Sequence, residues 1–215
     1  MARKLDRDGM FYKNRYTFVS VIVILGMYFI AQSYYDPSSI VRTGAAVVAG
    51  EGTPDIGGEF SAVNHKGQPF TEDNLQGKYS LVFFGFTHCP DICPTALSVL
   101  SDVYTGLSPK HQSNLQVIMA SVDPLRDTVE TMGEYVPAFH ESFIGLTGTE
   151  AQMKEMAKAY LVYFAKHPAD KDGNYTVDHS GYIYLIGPDG RYVKHFSHKD
   201  TADDIRQSLQ SYLTK

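Results

Sequence analysis

The chain has 215 residues, of which 43% are hydrophobic and 20% are charged, and its formal net charge is −5. This size and composition suit one folded domain with appended segments. Beyond the basic residues 1–15 the chain is acidic, which argues against nucleic-acid binding, and two cysteines are too few for a disulfide-rich scaffold.

The N-terminal segment has the pattern of a membrane anchor. Residues 1–15 form a basic tail, with five lysines or arginines against two aspartates, and residues 16–35 contain no charged side chain. Twenty residues in a helix span roughly 30 Å, which is the thickness of the bilayer core. The sequence therefore predicts a transmembrane helix over residues 16–35. A cleaved signal peptide is the alternative, but its apolar region would be shorter and a small-x-small cleavage site would follow.

The basic tail also predicts the orientation of the chain. Positively charged flanks stay in the cytoplasm, so the folded part should lie on the other side of the membrane. We expect a bacterial inner membrane with a periplasmic domain. A mitochondrial inner membrane is less favoured, because only 15 residues precede the span and two of them are aspartates. In an oxidising compartment Cys89 and Cys93 would form a disulfide unless a reductant or a metal prevents it.

Residues 36–57 are rich in glycine and proline and predict a linker, so the folded domain covers residues 58–215. Its first predicted elements are a strand at 59–63, a turn at 64–68, a strand at 80–86, a helix at 94–107, a strand at 115–122, a helix at 127–135 and a short strand at 143–146. After a further helix come a polar loop at 167–174, a β-hairpin of strands 182–186 and 191–196, and a last helix at 201–213.

The helix that follows residue 149 has a clear start signal. Thr149 and Gln152 form a capping box in the sequence. Apolar residues then recur at helical spacing, at Met153, Met156, Ala157, Tyr160, Leu161 and Phe164. We interpret this stripe as a core-facing surface rather than a metal-binding methionine motif.

The order of these elements predicts the fold class. Strands and helices alternate and are followed by a hairpin and a helix, which is typical of an α/β domain. The order also matches the thioredoxin-like fold, a central sheet with flanking helices. In that layout a thiol motif lies where the first core strand meets its helix.

The two cysteines lie at that position. Pro94 fits only the first turn of a helix, which places Cys93 at or beside the N-cap and Cys89 in the preceding loop. Amides at a helix N-terminus stabilise a thiolate, so the sequence predicts a lowered pKa for at least one sulfur. Two buried small apolar side chains are the alternative, but the two prolines and the apolar strand favour a reactive or metal-binding pair.

The spacing of the cysteines leaves redox and metal chemistry open. Dithiol oxidoreductases usually have two residues between their cysteines, whereas this chain has three. The additional residue lets both sulfurs diverge around an ion, and it still permits a disulfide. Two sulfurs are few for structural zinc, but copper(I) accepts two thiolates and one imidazole. A copper site would therefore need a histidine.

His179 is the favoured candidate among the eight histidines, because the loop before the hairpin should face the thiol motif. Its neighbour Asp178 could orient the imidazole or the loop. His88 is expected to pack or to support a ligand, since neighbouring residues in extended chain point apart. The others are expected at the surface, namely His65, His111, His140, His167, His195 and His198.

Three segments together resemble the signature of the Sco/SenC family. They are FTHCPDICP at 86–94, SVDPLRDT at 121–128 and YTVDHS at 175–180, and the resemblance covers roughly residues 55–215 and the N-terminal anchor. It implies a thioredoxin-like domain at the inner membrane that binds copper, as Cu(I) or Cu(II), through Cys89, Cys93 and His179. Asp123 and Arg126 are interpreted as a strand-end turn with a local ion pair rather than as site residues.

The resemblance also implies a function and partners. The protein would help to build the dinuclear CuA centre of cytochrome c oxidase subunit II, as a copper donor, as a reductant of that subunit's cysteines, or as both. Another copper chaperone or a thioredoxin-like reductant would be a further partner, and we expect a monomer.

A membrane-anchored metallochaperone is the leading hypothesis, and a thiol–disulfide reductase is the alternative, so enzymatic activity stays open. A peroxiredoxin-like peroxidase is disfavoured. That family has a threonine or serine three residues before its reactive cysteine, whereas this chain has Phe86 there.

Overall fold

The computed structural model describes residues 56–214, together with the helical residues Leu25 and Met27. Apart from those two residues, the predicted basic tail and transmembrane helix lie outside the described residues, as does the predicted linker up to residue 55. Within the described part of the chain, no helix is both long enough and apolar enough to cross a membrane.

The described domain alternates short strands and helices. Its strands are β1 (Ser61–Asn64), β2 (Pro69–Thr71), β3 (Tyr79–Gly85), β4 (Leu115–Ser121), β5 (Ile144–Thr147), β6 (Phe164–Lys166), β7 (Val177–His179), β8 (Tyr182–Ile186) and β9 (Tyr192–Ser197). Its α-helices are α1 (Ile92–Thr105), α2 (Pro109–Ser113), α3 (Val129–Tyr135), α4 (Glu150–Ala159) and α5 (Ala202–Leu213), and a short 3₁₀ helix covers Glu72–Leu75.

Two sheets organise these strands. A seven-stranded sheet has the order β2-β1-β5-β4-β3-β8-β9, and β6 and β7 form a separate two-stranded antiparallel sheet. Strand β3 runs parallel to β4 and antiparallel to β8, so it lies in the interior of the larger sheet. The predicted α/β class with a central sheet and flanking helices is confirmed.

The apolar run that precedes the cysteines forms a buried central strand. Every residue of β3 after Tyr79 is buried, which agrees with a strand covered on both faces. Helix α1 packs on this strand through residues three or four apart, namely Cys93, Ala96, Leu97, Leu100 and Val103. Each large apolar side chain buried in this way contributes about 1.5–3 kcal/mol. The cysteine loop thus joins two rigid core elements.

Helix α4 begins as predicted but ends earlier. The capping box of Thr149 and Gln152 is present, and Met153, Met156 and Ala157 are buried. The helix ends at Ala159, and Leu161 adopts φ 53°. Amides after the helix bond back to it, from Leu161 to the Lys158 carbonyl and from Val162 to the Ala157 carbonyl, which is a Schellman motif. The predicted helical stripe was therefore wrong at its end, where Leu161 is exposed and Phe164 lies in β6.

Glycine is the usual residue at the left-handed position that Leu161 occupies. We expect Leu161→Gly to raise the free energy of unfolding by about 1 kcal/mol, because glycine adopts positive φ without a steric penalty. Urea unfolding measures the change. Leu125 is a matched control, since it is also exposed but has no positive φ. Leu125→Gly should destabilise the protein, and a similar loss in both variants would contradict the explanation.

Candidate metal centre

The loop between β3 and α1 carries both cysteines. The Cys89 amide donates to the Phe86 carbonyl over 3.2 Å, which folds the loop back on the end of the strand. Helix α1 begins at Ile92 after the N-cap Asp91, so Cys93 lies inside the first turn and Pro94 follows it. The predicted helix start at residue 94 was thus two residues too late, and Cys93 is the second residue of the helix rather than at or beside its N-cap. Cys93 is buried and Cys89 is partly buried, and both are free thiols.

His179 reaches the cysteines from the smaller sheet. It is the last residue of β7, and its ring meets the rings of Phe83 and Phe86 edge-on, at centroid distances of 6.0 and 5.8 Å. Its Nδ1 lies 3.2 Å from the Ser180 carbonyl, which can only accept, so Nδ1 carries the proton. Its Nε2 then carries a lone pair and accepts a hydrogen bond from the Cys93 thiol, whose sulfur lies 3.4 Å away.

The three predicted site residues therefore converge. The Cys89 and Cys93 sulfurs and a His179 ring nitrogen all lie within 4.8 Å of one another. Metal–sulfur bonds near 2.3 Å and metal–nitrogen bonds near 2.0 Å place ligand atoms about 3.5–4 Å apart, so a small inward movement suffices. Two sulfurs and one neutral imidazole suit a soft ion such as copper(I).

Burial controls the protonation of this site. It raises the pKa of the Cys93 thiol and outweighs the hydrogen bond from the Phe86 backbone, which lowers it. Burial also lowers the pKa of His179. The predicted lowering of a thiol pKa was therefore wrong for Cys93, because loss of hydration exceeds the stabilisation by the Phe86 amide. The site is a neutral thiol beside a neutral imidazole, and an incoming cation would displace the thiol proton.

A buried carboxylate holds the start of the cysteine loop, and sequence reasoning missed it. Asp127 is fully buried and accepts hydrogen bonds from the Thr87 hydroxyl and the Ser121 hydroxyl, each at 2.6 Å. The Thr87 amide lies 3.2 Å from both of its carboxylate oxygens. Burial raises the pKa of Asp127. This side chain connects the segment after β4 to the loop that carries Cys89.

The ion pair of Asp123 and Arg126 extends further than predicted. The two side chains bond directly, as expected for a strand-end turn. Asp123 also accepts a hydrogen bond from the Tyr175 hydroxyl at 2.9 Å, and Arg126 donates to the Tyr175 carbonyl at 2.9 Å. The guanidinium lies over the rings of Tyr175 and Phe86. The pair thereby connects the segment before His179 to the strand before the cysteines.

Gly85 leaves space for the Cys93 sulfur. A Cβ atom at this position would lie 2.6 Å from Cys93 Sγ and 2.9 Å from Phe83 Cε1. Because Gly85 is the last residue of the central strand β3, the sulfur packs directly on strand backbone. A glycine at the end of an otherwise bulky strand is the sequence signal for such a close approach.

The remaining histidines lie apart from the three converging ligand atoms. His167 and His195 are exposed as predicted. Four others are partly buried, which corrects their predicted surface positions: His65 accepts from the Gly145 amide, His111 lies in α2, His140 packs between Tyr104 and Phe143, and His198 lies against Gly181.

Two neighbours of the site also differ from expectation. His88 is exposed rather than packed, and it bonds Thr87. Asp178 bonds His167 at 2.8 Å and not the His179 imidazole, so it supports the loop.

A cleft of about 350 Å³ opens beside the ligand atoms. One wall is the cysteine loop from Cys89 to Ile92, and the other is β7 with Thr176 before it. Phe86 lies between the two walls. The candidate metal centre is therefore reached from one side, past Cys89 and His179.

A family model described as SCO1/SenC matches residues 48–214. The mitochondrial SCO2 protein of Saccharomyces cerevisiae is 41% identical over 170 residues, which cover 76% of this chain and 56% of the yeast protein. A SCO2-like protein of Rickettsia prowazekii is 43% identical over 159 residues, covering 73% of this chain and 76% of that protein. The match thus spans little more than half of the yeast relative, and the relatives include mitochondrial and bacterial proteins.

Solved structures of Sco proteins have the same fold. ScoI of Bradyrhizobium japonicum with copper bound is 41% identical, with a TM-score of 0.68 over 73% of this chain and 99% of that chain. BsSco, described as a member of the Sco family of cytochrome c oxidase assembly proteins with a disulfide switch, is 25% identical, with a TM-score of 0.58 over 75% of this chain and 95% of that chain. The predicted thioredoxin-like fold is confirmed.

Proposed function

Because the chain belongs to the SCO1/SenC family, we propose that it is a copper metallochaperone that assists assembly of the CuA centre of cytochrome c oxidase subunit II. The observation that supports this function best is the convergence of the Cys89, Cys93 and His179 ligand atoms within 4.8 Å. The copper bound to the similar ScoI and the oxidase-assembly description of BsSco support the same function.

When copper binds, the thiols release their protons, and three protein ligands replace the water molecules that the ion carried in solution. The Cys93 thiol gives up its proton when the metal arrives, and the His179 Nε2 lone pair already faces the site. Both Cu(I) and Cu(II) can be held, and the two sulfurs favour Cu(I). The rings of Phe83 and Phe86 hold the imidazole in place. Three ligands leave one side of the ion open, so an acceptor cysteine can bind copper before the donor releases it.

Removing the imidazole tests the three-ligand site. We expect His179→Ala to weaken Cu(I) binding by at least about 10-fold, because one of three ligands is lost. Titration of the purified protein against a competing Cu(I) chelator measures the affinity. His195→Ala is a matched control, since His195 is an exposed histidine on β9. If both variants bind Cu(I) as tightly as the unmodified protein, the three-ligand site is wrong.

A thiol–disulfide reductase is the second candidate function, because the two thiols are free and lie close enough to share one ion. The disulfide switch described for BsSco supports it. In this reaction the thiolate of one cysteine attacks the partner disulfide, and the other cysteine resolves the mixed disulfide. Mixing the reduced protein with the oxidised soluble domain of subunit II tests this activity. No transfer of reducing equivalents within hours would eliminate the reductase.

The proposed function also includes membrane anchoring. We propose residues 1–15 as a cytoplasmic tail, 16–35 as a single transmembrane helix, 36–57 as a linker and 58–215 as the copper-binding domain of a monomer in the periplasm. The uncharged run at 16–35 and the basic tail support this arrangement. Protease added to intact spheroplasts should degrade the domain, and full protection would contradict the orientation.

A further inference from the structure

Strand β7 has one unpaired edge, and that edge borders the candidate metal centre. In the smaller sheet β7 pairs only with β6. The His167 amide donates to the Thr176 carbonyl, and the Ser180 amide donates to the Tyr163 carbonyl. Because hydrogen-bonded pairs alternate along an antiparallel ladder, Ala165 and Asp178 form the next bonded pair. The backbone groups of Val177 and His179 therefore point away from β6.

Those backbone groups have no partner within residues 56–214. Neither amide nor carbonyl of Val177 or His179 takes part in a hydrogen bond with another described residue. The unpaired edge lines the 350 Å³ cleft, with the cysteine loop on the opposite wall; the Val177 side chain is buried in the core and His179 is partly buried. A row of free amides and carbonyls is the feature by which sheets accept an additional strand.

We infer that this cleft receives an extended, cysteine-bearing segment of the copper acceptor, which pairs with the free edge of β7. The inference rests on the proposed function and identifies how the acceptor is held. Main-chain pairing with Val177 and His179 would place an acceptor side chain within reach of the ligands, because His179 is itself one of them. Pro90 on the facing wall has no amide to compete for the segment.

The charges around the cleft indicate which residues can lie beside the cysteine of the acceptor segment. Asp91 and Asp178 both line the cleft and are exposed. A segment with lysine or arginine beside its cysteine would complement them, whereas an acidic segment would be repelled.

Transfer in this arrangement is an exchange of ligands without electron transfer. The acceptor thiol gives up its proton as its sulfur binds copper. The Cys93 sulfur that leaves the ion takes up a proton and returns to its neutral state. One metal–sulfur bond forms and one breaks, and the oxidation state of copper stays the same. Pairing along β7 keeps the acceptor sulfur in place during this exchange.

A covalent trap tests the pairing without copper. In the full chain carrying Cys93→Ala, the Cys89 thiolate attacks the pyridyl disulfide of a synthetic peptide and releases thiopyridone. The peptide has about seven residues, with a central cysteine, threonines and valines around it and a lysine at each end. Hydrogen exchange of the Val177 and His179 amides is then compared with that of the same protein capped by 2-mercaptoethanol. We expect the peptide to slow both amides by about 10-fold or more.

Two N-methylated peptides provide the matched control. In one, N-methyl groups occupy alternate residues, and in the other they occupy the intervening residues. Alternate amides of a strand face opposite edges, so only one of the two peptides has its methyl groups on the edge that meets β7. We expect that peptide alone to leave the Val177 and His179 amides unprotected. Equal exchange in the peptide-bearing and capped proteins would overturn the inference, and so would equal loss in both N-methylated peptides. If both amides are already protected in the capped chain, its own segment or a second copy occupies the edge, and the inference is wrong.

This experiment separates the inference from the proposed function. The trap contains no metal, so protection can appear even if the chelator titration shows that His179 does not bind copper. Conversely, tight copper binding with unprotected Val177 and His179 amides would retain the metallochaperone and reject the strand pairing.

Discussion

Gly85→Ala should lower the Cu(I) affinity by about 100-fold, because the new methyl group would lie 2.6 Å from Cys93 Sγ. The backbone at this position has little freedom to move, since Gly85 pairs with Ser121 of β4 and its carbonyl accepts from the Val122 amide at 2.8 Å. Cys93 must therefore turn away from Cys89 and His179. We also expect a loss of about 1–3 kcal/mol in the free energy of unfolding, which is typical of an overpacked core.

Gly145→Ala is the matched control for this prediction. Gly145 is a buried glycine of β5 in the same sheet, and its added methyl group would lie 3.1 Å from Met132 and Val136 side-chain atoms. It should lower stability in a similar way but leave copper affinity unchanged. Competition titration with a Cu(I) chelator and urea unfolding measure the two quantities. An unchanged Cu(I) affinity in Gly85→Ala would show that copper binding does not require the Cys93 sulfur to pack against the backbone of Gly85.

Asp127→Ala should lower the free energy of unfolding by about 3–5 kcal/mol, because it leaves one buried and two partly buried donors without an acceptor. These donors are the Thr87 amide, the Thr87 hydroxyl and the Ser121 hydroxyl. Release of Thr87 also frees the loop that carries Cys89, so we expect weaker copper binding in the fraction that folds. Asp127→Asn keeps one oxygen acceptor, so its free energy of unfolding should fall by less, about 1–3 kcal/mol.

An exposed aspartate on α1 provides the comparison. Asp102→Ala should change stability by less than about 0.5 kcal/mol, as is usual for surface substitutions. Urea unfolding of the purified variants gives the values. Similar stabilities for the Asp127 and Asp102 variants would contradict the connecting role of Asp127.

The buried Asp127 also predicts a dependence on pH. Burial raises its pKa in the folded protein above the ordinary value. A raised carboxyl pKa favours the protonated form, so its contribution to stability is present at acidic pH and is lost as the pH rises through the folded pKa. The stability difference between the unmodified protein and Asp127→Asn should therefore decrease over that range. A difference that increases with pH would show that the carboxylate is stabilised by its hydrogen bonds more than it is destabilised by burial.

Strong local patterns made the main elements predictable. The apolar run from Ser80 to Phe86 predicted the central strand, and the capping box at Thr149 predicted the start of α4. The three-residue strands β6 and β7 were missed, because so short a segment has no readable period and is stabilised by its partner. His179 was nevertheless expected opposite the cysteines, from its place in the thioredoxin-like order of elements.

The residues that support the site could not be predicted from the sequence, for a different reason. Asp127 is 40 residues from Thr87, and the contact between them exists only after β3 and β4 have paired. The raised pKa of Cys93 depends on the depth of α1 in the core, whereas the sequence indicated only where that helix begins. Gly85 had a readable signal, but its partner atom could be identified only from the packed structure.

The separation of the two sheets determines how the site can open. Both cysteines belong to the large sheet and its helix, while His179 is carried by a two-stranded sheet that is marginally stable by itself. We therefore expect β6 and β7, the histidine arm, to have the lowest free energy of local unfolding in the site. Copper joins the arm to the core and stabilises the closed arrangement in proportion to its occupancy. Without copper the arm can then open locally, while the seven-stranded core stays folded.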